Sequence, residues 1–85
     1  MKLKECIEIG KECGLFSIGE CYNNIVLHRL SLFKYDDISR EIKELQKDIF
    51  YNHPDLFCDI FSTKKEDLLA KGWRIKDEKI KSMRK

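Results

Sequence analysis

The sequence predicts an all-α fold, a small compact bundle of four to five short helices. Three observations carry this. Apolar residues recur at three- and four-residue steps, no stretch sustains period-two alternation, and capping signals punctuate the chain at short intervals. The chain has 85 residues, 42% apolar and 38% charged, with one Pro and four Gly. Such a composition lies outside the disordered and collagen-like classes. The length suits one domain, and residues 1–75 are expected to form it, with residues 76–85 a basic last helix or tail. A chain this short buries roughly 60–65% of its unfolded surface, so its stability margin is thin and its room for a deep catalytic cleft is small.

The first helix is expected from Leu3 to Cys13. Leu3, Cys6, Ile7, Gly10 and Cys13 share one face, and Gly14 stops the helix as a residue suited to positive φ. Ser17-Ile18-Gly19-Glu20 reads as a capping box that opens the second helix, with Phe16 placed to staple onto Cys21. Cys21, Ile25, His28 and Leu32 then form one stripe, with Tyr22, Val26, Leu30 and Phe33 beside it. So wide an apolar face predicts a helix buried on more than one side and ending near Phe33 or Lys34.

Asp36 or Asp37 is expected to cap the third helix. Its Ile38, Ile42, Leu45 and Ile49 are the cleanest amphipathic series in the chain, opposite a mixed-charge face from Arg40 to Asp48. Asn52-His53-Pro54 breaks it, because the residue before Pro avoids the helical region. Pro54 opens a turn or two of helix carrying Leu56, Phe57, Ile60 and Phe61. Thr63-Lys64-Lys65-Glu66 reads as a second capping box, Gly72 as the stop of that helix, and Trp73 as a residue folding back on its last turn. Asp77 would start a last short helix through Ile80 and Met83.

Glu5 and Glu8 interrupt the opening residues, and no wholly apolar run is longer than that of Ile25-Val26-Leu27. No leader or membrane span is therefore expected, and the compartment is read as cytoplasmic and reducing. Cys6, Cys13, Cys21 and Cys58 form no C-x-x-C pair. They read as small apolar core residues rather than disulfides, and no metal or other cofactor is expected. A zinc site drawn from Cys13, Cys21, His53 and Cys58 lacks finger-like spacing. A thiolate–imidazole pair from Cys21 and His28 is not forced either, since they stand two helical turns apart. Asp55 and Asp59, one turn apart near His53, have the spacing to hold a divalent ion, but helix starts explain such acids more simply. No nucleotide-binding, EF-hand or zincin motif is present, so the expected function is non-enzymatic.

Two kinds of partner compete. Nine aromatic residues exceed what a core of this size comfortably hides, and Tyr35, Tyr51 and Trp73, at helix ends, are the expected anchors for a protein partner or a homodimer. The alternative is nucleic acid. Residues 64–85 carry nine basic and four acidic groups, a net of +5, against −3 for residues 1–63. Arg74, Lys76, Lys79, Lys81 and Arg84 are the candidate phosphate contacts. The first two helices also invite comparison with a helix-turn-helix, with Gly10 and Gly14 in suitable places. The apolar slots of its second helix, however, fall on Glu20 and Asn23 unless the turn is one residue longer, and no Arg or Lys precedes Arg29 there.

Lysine outnumbers arginine thirteen to four and there are ten isoleucines, a bias that suggests an AT-rich genome. In size and lysine bias the chain resembles small proteins of phages and mobile elements, some of which inhibit or modulate host proteins by occupying a surface. That style of action is the functional expectation.

Overall fold

A computed structural model describes residues 1–76. Among them are five helices: α1 (Leu3–Glu12), α2 (Ile18–Leu32), α3 (Tyr35–Asn52), α4 (Pro54–Phe61) and α5 (Lys65–Ala70). There is no strand among the described residues, and the all-α class of short helices is what the sequence predicts. The expected helix around Asp77, Ile80 and Met83 lies outside the described residues. Contacts divide the chain within α3 into two units, Met1–Leu45 and the chain from Gln46 onward.

In the first unit, α1 ends as Gly14 predicts. Gly14 takes φ +80°. Its N–H donates to the Lys11 carbonyl at 3.0 Å and that of Leu15 to the Gly10 carbonyl at 2.8 Å, so two end carbonyls of α1 find donors. Ser17 then caps α2, its Oγ accepting from the Glu20 N–H at 3.1 Å. Glu20 reaches back to the Ser17 hydroxyl, which donates to its carboxylate at 2.9 Å. The staple does not form, because Phe16 is 85% exposed while Cys21 turns inward against α1.

The two backbones approach closely there. A Cβ on Gly10 would overlap the Cys21 Sγ and stand 2.9 Å from the Cys21 Cβ. Only glycine leaves room for α2 to lie this near. Leu3, Cys6, Cys21, Tyr22 and Ile25 fill the interior, and Ile38, Ile42 and Leu45 of α3 complete it. The four-three-four series of α3 is buried throughout, including Ile49. Helix α3 starts at Tyr35, so Asp36 and Asp37 fall in its first turn rather than at its cap. Their charge still favours the positive end of the helix dipole.

The second unit is built on rings. Phe50 is fully buried at the end of α3, and Phe57 of α4 meets it edge-on with ring centres 5.6 Å apart. Pro54 sits in the first turn of α4. There its missing N–H costs nothing. Helix α4 ends on Ser62 in the left-handed region, φ 51°. Helix α5 starts after Lys64 with no side-chain cap, one residue later than the Thr63 capping box predicts. Thr63 instead gives its N–H to the Cys58 carbonyl, closing the end of α4. Gly72, φ +98°, stops α5 as predicted, and the Trp73 N–H returns to the Leu68 carbonyl at 3.0 Å.

Candidate protein-binding surface

The buried stripe of α2 is covered at one end only. Ile25 is 5% exposed, whereas Leu32, two turns further along the same stripe, is 63% exposed. Leu27 on the outer side is 68% exposed, and Leu30 and Phe33 are also open to solvent. The sequence expectation of a helix buried on several sides therefore fails for its C-terminal half. The reason is length. Helix α1 has 10 residues and α2 has 15, about 15 Å against about 22 Å at 1.5 Å per residue. Tyr35, at the start of α3 and 62% exposed, extends the same apolar end. Leu27, Leu30, Leu32, Phe33 and Tyr35 all lie within residues 27–35. Their exposed surfaces sum to on the order of 500 Å², with Leu27, about 140° around α2 from Leu32, on the other side of the helix.

Beside it lies a shallow apolar depression, open to solvent, floored by Ile25, Val26, Ile38 and Ile42. Arg29 and Glu41 pair across its rim at 3.2 Å. Both are partly exposed, so the pair fixes geometry more than it stabilises.

Tyr51, near the end of α3, is exposed, while Trp73 is half-buried. Trp73 packs on Phe50 and Phe57 at 5.8 and 5.5 Å, with the Lys47 Nζ 5.8 Å over its ring. Much of its apolar surface is thus spent within its own unit. Arg74 and Lys76 are exposed, and Lys79, Lys81 and Arg84 lie outside the described residues. The sequence singled out Tyr35 but passed over Leu30, Leu32 and Phe33, whose apolar character was assigned to burial, and placed Leu27 on no face. The signal that exposes them is the mismatch in predicted helix lengths.

In the helix-turn-helix comparison, the contact of α2 with α1 follows the register of a turn one residue longer. Cys21, not Glu20, takes the slot against Gly10. The outer face of α2 then offers Glu20, Asn23, Leu27 and Ser31, all exposed and none basic. With one acidic and no basic group, such a face offers phosphates no counter-charge.

The cysteines split by environment. Cys6 and Cys21 are buried, Cys58 is half-buried, and Cys13, expected in the core, is exposed; all four are free thiols. Burial, helped by the neighbouring Cys21 thiol, pushes Cys6 up to about 11. Burial also raises Cys21 and Cys58, aided by Glu20 and Asp55 respectively. These groups stay protonated and weakly nucleophilic near neutral pH. Asp55 pairs with Lys65 at 3.4 Å. Among the described residues no three His, Cys, Asp or Glu side chains converge on a metal position. Nor is any helix there long and apolar enough to cross a membrane. No protein-family model, curated protein or solved structure matches the chain.

Proposed function

We propose that the chain is a small non-enzymatic protein-binding module whose working surface is the C-terminal end of α2 and the turn into α3. The observation that carries this is the exposure of Leu30, Leu32, Phe33 and Tyr35 over the last turn of α2 and the start of α3. Leucine and aromatic side chains at a helix end supply the desolvated centre of an interface. Lys34, Asp36 and Asp37, all exposed, supply a polar rim. Such a module acts by steric block: it modulates its partner, a host enzyme or defence protein, by covering part of its surface. Tyr35 belongs to the surface directly, and Tyr51 gives a second, separate point of contact.

A nucleic-acid regulator is the competing reading, favoured by the exposed Arg74 and Lys76 at the start of the +5 segment. Salt separates the two. Full-length tagged protein is recovered from lysate of its source cells, with and without nuclease, at rising salt. A stoichiometric protein partner that survives nuclease and 200 mM salt supports the module. Recovery of nucleic acid alone, falling by about 10³ between roughly 50 and 200 mM salt, would overturn it.

A further inference from the structure

We propose that Cys13 and Cys21 are a redox-sensitive thiol pair: a hydroperoxide oxidises the exposed Cys13, and Cys21 closes a disulfide onto it across the α1–α2 contact. The inference is independent of the protein-binding reading, since it concerns the contact between α1 and α2 inside the first unit.

Observations on both helices place the two thiols together. The Cys21 sulfur occupies the space that a side chain on Gly10 would fill. Cys13 follows Gly10 by one turn, and its N–H donates to the Gly10 carbonyl at 3.0 Å, a tight closure that sets side chains three apart on one line. Cys13 therefore stands on α1 about 5–6 Å along from the notch that holds the Cys21 sulfur. From the other helix, the Asn24 amide donates to the Cys13 sulfur at 3.9 Å. Asn24 is one turn beyond Cys21 on α2, so the Cys13 side chain leans onto the same stretch of that helix. The thiols also sense each other electrostatically. Burial and then Glu20 raise Cys21, Lys11 opposes them, and the neighbouring Cys13 thiol adds to the rise.

Exposure divides the roles. Cys13 is open to solvent, where a small oxidant reaches it, whereas Cys21 is 1% exposed and Cys6 is wholly buried. In the first step the Cys13 sulfur attacks one peroxide oxygen and the O–O bond breaks. The released hydroxide takes up the thiol proton as water, and Cys13 becomes a sulfenic acid. In the second step the Cys21 sulfur attacks the Cys13 sulfur and the S–O bond breaks. The hydroxyl leaves with the Cys21 proton as a second water. Two thiols thus give up two electrons and two protons, and the peroxide is reduced to two waters. Closure is slow, because burial keeps Cys21 protonated. The bond draws the Cys21 sulfur out of the notch beside Gly10 and pins the end of α1 to the start of α2. Small thiols reverse it.

Peptide mass mapping of the full chain after treatment with about 1 mM hydrogen peroxide tests the pair. Free thiols are alkylated before digestion. Trypsin releases residues 12–29 as one peptide holding Cys13 and Cys21, and residues 5–11 as another holding Cys6. The 12–29 peptide should appear as the closed loop, lighter by about 2 Da, in at least about half of the chains within roughly an hour, and dithiothreitol should reopen it. In the folded chain this loop should exceed the cross-link of Cys13 to Cys6 at least about tenfold. In urea the two span nearly equal lengths of chain and should form within about threefold of each other. Cys13→Ser, at an exposed position that leaves folding intact, should abolish the loop and leave Cys21 reduced. Cys21→Ala should leave a Cys13 sulfenic acid that dimedone traps. A folded wild type whose Cys13 passes on to sulfinic acid with no loop, or pairs with Cys6 or with a second copy, overturns the proposal. So does a loop no more favoured in the folded chain than in urea, or a Cys13→Ser chain whose Cys21 oxidises as readily as in the wild type.

Discussion

The two units solve the same problem of small size in opposite ways. From Gln46 onward, the interior is made of large rings, Phe50, Phe57, Phe61 and Trp73, in edge-on and tilted contact. Among the described residues there, only Tyr51 and Leu56 remain as large exposed apolar residues. In Met1–Leu45 the interior is made of leucines, isoleucines, two thiols and the single ring of Tyr22 around a glycine, while Phe16, Leu27, Leu30, Leu32, Phe33 and Tyr35 face solvent. A unit that needs its aromatics inside is a stabilising unit. A unit that can leave them outside presents a surface. The contrast shows where apolar surface is left open in a chain with little core to spare, and where the proposed binding surface therefore falls: on the longer of two paired helices, past the point where its neighbour ends.

Breaking the aromatic side of this contrast has the largest effect. Phe50→Ala should cost about 3–5 kcal/mol, read as a shift of the urea midpoint, a large share of what a chain of this length can have. Leu27→Ala in the first unit should stay within about 0.5 kcal/mol by the same measurement.

Next comes the glycine contact. Ala exceeds Gly in helix propensity by about 1 kcal/mol, so an exposed Gly10 would gain from substitution. Here Gly10→Ala should destabilise by about 1–3 kcal/mol in thermal melts, because the new methyl overlaps Cys21.

The thiol at the centre of the first unit sharpens the contrast with pH. Its folded pKa, about 11, lies above the ordinary value of 9.0. The unfolded chain therefore releases this proton first. Stability from this group is complete below pH 9 and declines as pH rises from 9.0 towards 11. Denaturation at a series of alkaline pH values should show the decline, and Cys6→Ala should reduce it, leaving the contributions of Cys21 and Cys58.

The smallest effect is expected at the end of α4. Ser62 holds φ 51°, where a side chain is strained and glycine is not. Ser62→Gly should raise stability by a few tenths to about 1 kcal/mol in the same melts, the gain reduced by glycine's freer unfolded chain.

Much of the fold was legible in the residues because local chemistry is repeated at several levels. Ile38, Ile42, Leu45 and Ile49 lie buried as their spacing demands, and Gly14 and Gly72 adopt the positive φ that ends a helix. Ser17 caps as its neighbour Glu20 suggests. Less legible were features set by competition. Thr63 and Ser17 sit in the same four-residue pattern, yet Thr63 closes α4 instead of opening α5. Apolar periodicity on α2 says which side is oily but not how far a neighbour reaches along it. The candidate surface was accordingly half visible: Tyr35 stands out at a helix end, while Leu32 and Phe33 look like core until the shorter α1 is laid against them.

One measurement bears most directly on the central claim, that the apolar end of α2 is a working surface and not part of the core. A single variant carrying Leu32→Ser, Phe33→Ser and Tyr35→Ser is compared with the wild type for melting temperature and for recovery of its protein partner, side by side. Unchanged melting within about 3 °C, with partner recovery lost, is the predicted result. Retained recovery, or a collapse of the fold, would contradict it.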